Sequence, residues 1–244
     1  MTALARSELL RLRTTRSTWG LIGIGLVLTL GWTVATLTGV GGVGAPARGS
    51  EELRNAVLGA AGLGLFPILL LGVVAVTGEF HHATVTSTFL VTPVRWRVFV
   101  AKAVACVLAA PPVMAVFLAA AWTSAVVAGA VDAAPDARLL EVAARSALVA
   151  ACWALLGVAV GAAVRNQTLA VLLPLVWLLV VETLIPAYGL NRLVPWLPGG
   201  ATTALSGGRF PGALPAWAAL LVLMAYVLAL LVPGVRAISR RDIT

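Results

Sequence analysis

Few residues in this chain could do chemistry, and their spacing limits what they could do. Lys102 is the sole lysine and sits between Ala101 and Ala103, so the Gly-Lys-Ser/Thr of a phosphate-cradling loop is missing. ATP hydrolysis by that route is excluded. His81 and His82 are adjacent, and on a helix adjacent side chains diverge by about 100°, unlike the i, i+4 histidines that share a metal. Glu51-Glu52-Leu53-Arg54 falls one apolar block away from them, on the opposite face of the bilayer under the topology below. These two acids suit the start of a helix, where the dipole is positive. Cys106 and Cys152 both lie in apolar blocks and read as small core residues rather than a disulfide or metal pair. The sequence therefore suggests no catalytic residues, no metal site and no cofactor. Glu182 is the one carboxylate inside an apolar block, and an intramembrane acid is by default a functional candidate. It either pairs with Arg192 or Arg209 near the outer edge or lines an exit pathway or outer gate.

The elements that must position these residues are helices in lipid. The 244 residues are 61% hydrophobic and 11% charged, with mean hydropathy +1.03. A soluble domain carries about a quarter charged residues. The apolar residues form continuous blocks rather than the alternation of a β-barrel, and a spanning helix needs about 20 of them. The fold class is all-α, a single polytopic domain over 1–244 with six spans. They cover about 19–38, 56–77, 104–131, 143–164, 168–185 and 213–232, and turn-rich segments separate them. Pro111-Pro112 falls inside the third and should distort it. The first block, with about 20 apolar residues, exceeds the about 7–15 of a cleaved signal and is expected to be a permanent span.

Net charge is +8, yet the basic residues gather at block ends rather than on a polar face, so membrane flanks explain them better than nucleic acid. With six spans, one side holds Arg6, Arg11, Arg13, Arg16, Arg95, Arg97, Lys102, Arg165, Arg236, Arg240 and Arg241. The other holds Arg48, Arg54, Arg138, Arg145, Arg192 and Arg209. The positive-inside rule places both termini in the cytoplasm. Trp19 and Trp96 should mark the inner border, and Trp122, Trp196 and Trp217 the outer one, while Trp32, Trp153 and Trp177 read as packed within the bundle. Gly157-Val-Ala-Val-Gly161 and the Ala60/Gly64 pair allow close helix approach, within one chain or between two. Ahead of the first span, Ala5, Leu9 and Leu12 share one helical face with Arg6 and Arg13 to its side, the pattern of a short interfacial helix, although Leu10 interrupts it.

The stretch Gly78-Glu79-Phe80-His81-His82-Ala83-Thr84, running on to Pro93 and then Arg95-Trp96-Arg97 and Ala101-Lys102, resembles the loop after the second span of type-2 ABC exporter permeases, especially actinobacterial ones. Val164-Arg165-Asn166-Gln167, Val181-Glu182 and Leu197-Pro198-Gly199-Gly200-Ala201 agree in order and spacing, so the resemblance covers essentially the whole chain. Phe80, His81 and Ala83 depart from the Tyr, Arg and Gly usual there. The resemblance implies that the 78–97 loop, through Glu79, Phe80, His81, His82, Thr84, Arg95 and Arg97, docks on a separate ABC ATPase subunit, with Arg11 and Arg13 of the leader assisting. It also implies that Pro198, Gly199 and Gly200 belong to a short re-entrant element capping the outer end of the pathway. The expected partners are that ATPase, a second copy or a related permease subunit, and the lipid bilayer, with no nucleic acid. The expected location is the bacterial cytoplasmic membrane. A non-transporting scaffold or a regulatory or self-resistance subunit is the alternative. A secondary transporter ranks below it, because the spans are almost bare of ionisable groups.

Overall fold

The computed structural model describes residues 2–39, 46–81, 95–132, 134, 137–164, 166–208 and 210–239; of 2–3, 79–81, 95–98 and 235–239 it describes the backbone alone. His82 and Thr84, like Arg165, Arg209, Arg240 and Arg241, lie outside the described residues.

Among the described residues the chain is all-helical. In order it forms α1 (Thr2–Thr14), α2 (Arg16–Thr38), α3 (Glu51–Ala60), a 3-10 turn (Ala61–Gly64) and α4 (Leu65–His81). There follow α5 (Arg95–Val127), α6 (Ala137–Val164), α7 (Gln167–Val176), a π-helical turn (Trp177–Val181) and α8 (Glu182–Ala187). A 3-10 segment (Asn191–Trp196), α9 (Pro198–Leu205) and α10 (Ala216–Ser239) complete it. Six stretches are long and apolar enough to cross a bilayer: Arg16–Thr38, Glu51–Gly78, Phe99–Val127, Ala137–Val164, Gln167–Ala187 and Ala216–Gly234. The protein is a multi-pass membrane protein.

Local sequence sets several boundaries. Thr15, in an extended conformation, separates α1 from α2. The Ser50 side chain accepts the Leu53 N–H at 3.1 Å, and Glu51 and Glu52 occupy the first turn of α3, as expected of a cap and a positive helix end. Asn166 caps α7 in the same way through Leu169 N–H. The third span ends at Val127 rather than 131, because the chain turns at Gly129 with φ 63°. The fourth starts at Ala137 rather than 143, since its first turns are ordinary helix that carries Arg138 and Glu141 outside the apolar block. The last starts at Ala216, just after Pro215. α5 runs through Pro111 and Pro112 without ending.

α6 is the hub, packing against α4, α5 and α10. Its contact with α4 is backbone to backbone. A Cβ on Gly157 would collide with the Leu69 carbonyl, one on Gly72 with the Ala154 carbonyl, and one on Gly161 would sit 3.1 Å from Val73 O. The glycine pair read from the sequence thus closes a contact inside one chain. Phe117, fully buried on α5, lies against both Gly25 of α2 and Gly64, where no side chain stands in its way. Burial falls off outward: 67% of the fourth span's apolar window is buried inside the chain, but only 11% of the fifth. The α7–α8 span is therefore a rim element that faces lipid or another protein.

Tryptophans follow the border pattern in part. Trp19, Trp196 and Trp217 are exposed, and Trp153 is buried as expected. Trp122 is buried beneath the Arg54 guanidinium, 5.7 Å from its ring centre. Trp32 and Trp177 correct the reading of packed rings: both stand more than a third exposed, on rim spans.

Candidate functional site

Two places hold charge at the edges of the bundle. The first is the foot of α5. Lys102 was expected on the cytoplasmic side, just ahead of the membrane part of its span. It is instead 2% exposed, and its Nζ donates to Glu8 Oε2 at 3.0 Å. Glu8 comes from α1, whose inward side is Leu4, Ala5, Glu8, Leu9 and Leu12. The Ala5/Leu9/Leu12 face foreseen in the sequence is real, with the acid set within it. Leu10 does not spoil that face because it points away, as do Arg6, Arg11 and Arg13. Sequence reading missed Glu8 altogether; its signal was one acid at helical spacing between apolar residues. Leu12 and Thr18 also meet Cys106, Ile68 and Ala154 around a small, partly open void of about 30 Å³, space for a water molecule or two.

Of the docking residues drawn from the resemblance, Glu79, Phe80 and His81 form the last turn of α4, while Arg95 and Arg97 lie in the first turn of α5. The 82–94 segment between them lies outside the described residues. The α1–α5 ion pair thus stands within two helical turns of that loop's exit, since Lys102 follows Arg95 by seven residues.

The second place is the corner between the fifth span and α9. Among the described residues no basic side chain, Arg192 included, forms an ion pair with Glu182; the other expected partner, Arg209, lies outside them. Its two carboxylate oxygens both accept the Gly199 N–H, at 3.0 Å each, and Oε1 also accepts Trp177 Nε1–H at 3.1 Å. Position five after a tryptophan would lie about 140° round an ordinary α-helix, too far for that bond. The π-turn Trp177–Val181 widens the spiral, the Glu182 N–H bonds back to the Trp177 carbonyl, and the two side chains come to one face. Gly199 must be glycine for the carboxylate to reach its N–H, because a Cβ there would collide with Glu182 Oε2. Gly200 must be glycine for a stiffer reason: its Cβ would meet the Val194 carbonyl.

α9 itself is a wedge. Pro198 opens it, where a missing N–H costs nothing. Pro198, Gly200, Ala201, Ala204 and Leu205 are buried against α10 and α6, and Trp153 Nε1–H reaches Thr202 Oγ1 at 2.7 Å. Tyr226 of α10 donates from Oη to the Trp196 carbonyl at 3.2 Å. The structure therefore brings Glu182, Pro198, Gly199 and Gly200 together. The site gains Trp177 and Tyr226, which sequence reading did not assign to it.

No group of three or more potential metal-ligating side chains occurs among the described residues. No protein-family model matches the chain, and no curated protein matches it.

Proposed function

We propose that this chain is the membrane-spanning permease subunit of an ABC exporter, set in a bacterial cytoplasmic membrane with both termini in the cytoplasm. A separate ATPase subunit supplies the energy, and this chain hydrolyses nothing. The observation that carries the reading is the Glu8–Lys102 pair. It ties the leader helix to the foot of α5, next to the loop whose residues resemble an ATPase-docking element, so a push on either is passed into the third span. Glu79, Phe80, His81, His82, Thr84, Arg95 and Arg97 form the docking surface, with Arg11 and Arg13 on the open side of α1. Domain closure in the ATPase then rocks packed helices as rigid bodies. At the far end, α9 and Glu182 close the exit.

The sparsely buried spans bear on where cargo travels. Only 11% of the fifth span's apolar stretch and 17% of the sixth's are buried within the chain, which leaves both for lipid or another subunit. The pathway therefore runs between this chain and a second copy or related subunit, along the sparsely buried rim spans. The same observation favours a second reading, a scaffold that binds an ATPase and moves nothing.

The test first asks whether a P-loop ATPase is encoded beside the gene, then co-expresses the two chains and measures co-purification and ATP hydrolysis in lipid vesicles. Glu79→Ala and Arg97→Glu should weaken both association and stimulated hydrolysis. Unchanged association in both variants, or labelling of residues 82–94 from outside the cell, overturns the proposal. Association and stimulation that support no cargo movement select the scaffold.

A further inference from the structure

Glu182 is a carboxylate in an apolar segment whose partners among the described residues are neutral N–H donors. The Gly199 and Trp177 bonds all use it as an acceptor, so none spends a carboxyl proton. The ion pairs formed by described residues lie elsewhere, at Glu8–Lys102, Glu51–Arg138 and Glu141–Arg145. A formal negative charge at the edge of lipid without a counter-charge is costly, and such groups mark binding sites and pathways. The capping role explains the Gly199 bond, but not why the chain breaks α-helical register to bring an indole beside the same carboxylate.

The surroundings indicate what this carboxylate can receive. Trp177 is 38% exposed and Trp196 56%, so the corner is open rather than sealed in the core. Tyr226 adds a third aromatic ring at the corner, its hydroxyl bound to the Trp196 carbonyl. Exposed Leu179, Val180 and Leu184 carry the apolar surface outward along the fifth span. A carboxylate held by the N–H edge of an indole leaves exposed ring surface around it, and such a corner, reached from the hydrocarbon edge, attracts cations through charge and through the ring quadrupoles. A small inorganic cation would have to shed its water for few oxygen ligands here. A bulky organic cation has little water to shed and already concentrates at the membrane interface.

We propose that Glu182, Trp177 and Tyr226 form a binding site for a lipophilic organic cation. The proposal rests on the reading of this corner as part of an exit pathway, and it names the class of molecule that pauses there. Glu182 supplies the counter-charge, the rings cover the apolar body of the ligand, and the Gly199 N–H holds the carboxylate in position.

The experiment uses the purified full chain in zwitterionic nanodiscs, with tetraphenylphosphonium as probe and neutral triphenylphosphine oxide as its control. Equilibrium dialysis against empty nanodiscs subtracts partition into lipid, and Trp177 fluorescence gives a second readout. Saturable cation binding is expected, with Glu182→Gln weakening it about tenfold or more and Trp177→Leu weakening it less. Glu182→Gln keeps an acceptor for Gly199, so size-exclusion and thermal profiles should stay close to wild type. Trp177→Phe keeps a ring and should retain most of the binding. Binding of both probes alike, or unchanged cation binding in Glu182→Gln, overturns the proposal and leaves Glu182 as a structural cap only. Because no ATPase is present, binding here with failed ATPase association refutes the permease reading without touching the site. The reverse result refutes the site alone.

Discussion

Glu8 and Lys102 close a 3.0 Å ion pair across 94 residues of sequence, with the lysine side chain 2% exposed and the glutamate 13%. A buried pair adds little net stability over an apolar replacement, but one orphaned partner leaves an uncompensated charge. Lys102→Met or Glu8→Leu alone should each cost about 3–5 kcal/mol. The double variant should recover most of that loss. Thermal unfolding of the four proteins in detergent, arranged as a double-mutant cycle, measures the coupling. Additive losses would show that the two residues act independently.

The α4–α6 contact makes a graded prediction. At Gly157 a methyl meets the Leu69 backbone, which cannot swing aside, whereas at Gly161 the Val73 oxygen sits 3.1 Å away and a small shift suffices. Gly157→Ala should cost about 1–3 kcal/mol or more and lower folded yield, as overpacking does. Gly161→Ala should be milder. Gly59→Ala, with nothing within 4 Å of the new atom, should be neutral or stabilising by about 0.5–1 kcal/mol. Folded yield by fluorescence-detected size exclusion ranks the three, and any other order contradicts the packing.

Phe117 tests the opposite fault. Its ring is fully buried and lies where Gly25 and Gly64 leave space. Phe117→Ala should open a cavity and cost about 3–5 kcal/mol. Phe117→Leu should cost less, because it fills part of the volume. Equal melting temperatures for the two would mean that the neighbouring helices collapse into the space.

The spans were legible because an apolar block of that length has few stable fates outside lipid. Their ends were less so. A reading that stops at a charge places Lys102 outside the bundle, because the partner that lets it in stands 94 residues away and follows no local period. The Gly157/Gly161 spacing announced a close approach, but not that Leu69 and Gly72 would fill it. At the outer corner, Glu182 was visible as an acid in an apolar block, whereas its bond to Trp177 was not. That bond depends on a π-turn, and a spacing of five has no meaning in the ordinary helical period used to read faces.

Gly199 and Gly200 are neighbours in sequence, yet substitution should separate them. A Cβ on Gly199 strikes the far end of the Glu182 side chain, which can rotate away; a Cβ on Gly200 strikes the Val194 carbonyl, held within the 3-10 segment Asn191–Trp196. Gly199→Ala should therefore fold, with Glu182 displaced from the α9 N–H at a cost of about 0.5–2 kcal/mol, the usual worth of a helix cap. The displaced carboxylate also releases Trp177 Nε1, so emission from that indole should shift relative to a Trp177→Phe reference. Gly200→Ala should instead push α9 off its seat against α6 and α10, loosening the Trp153–Thr202 bond and lowering the melting temperature much further. If Gly199→Ala proves the more damaging of the two, the carboxylate is held more rigidly than a side chain with free rotation allows, and the corner is set by Glu182 rather than by the backbone of α9.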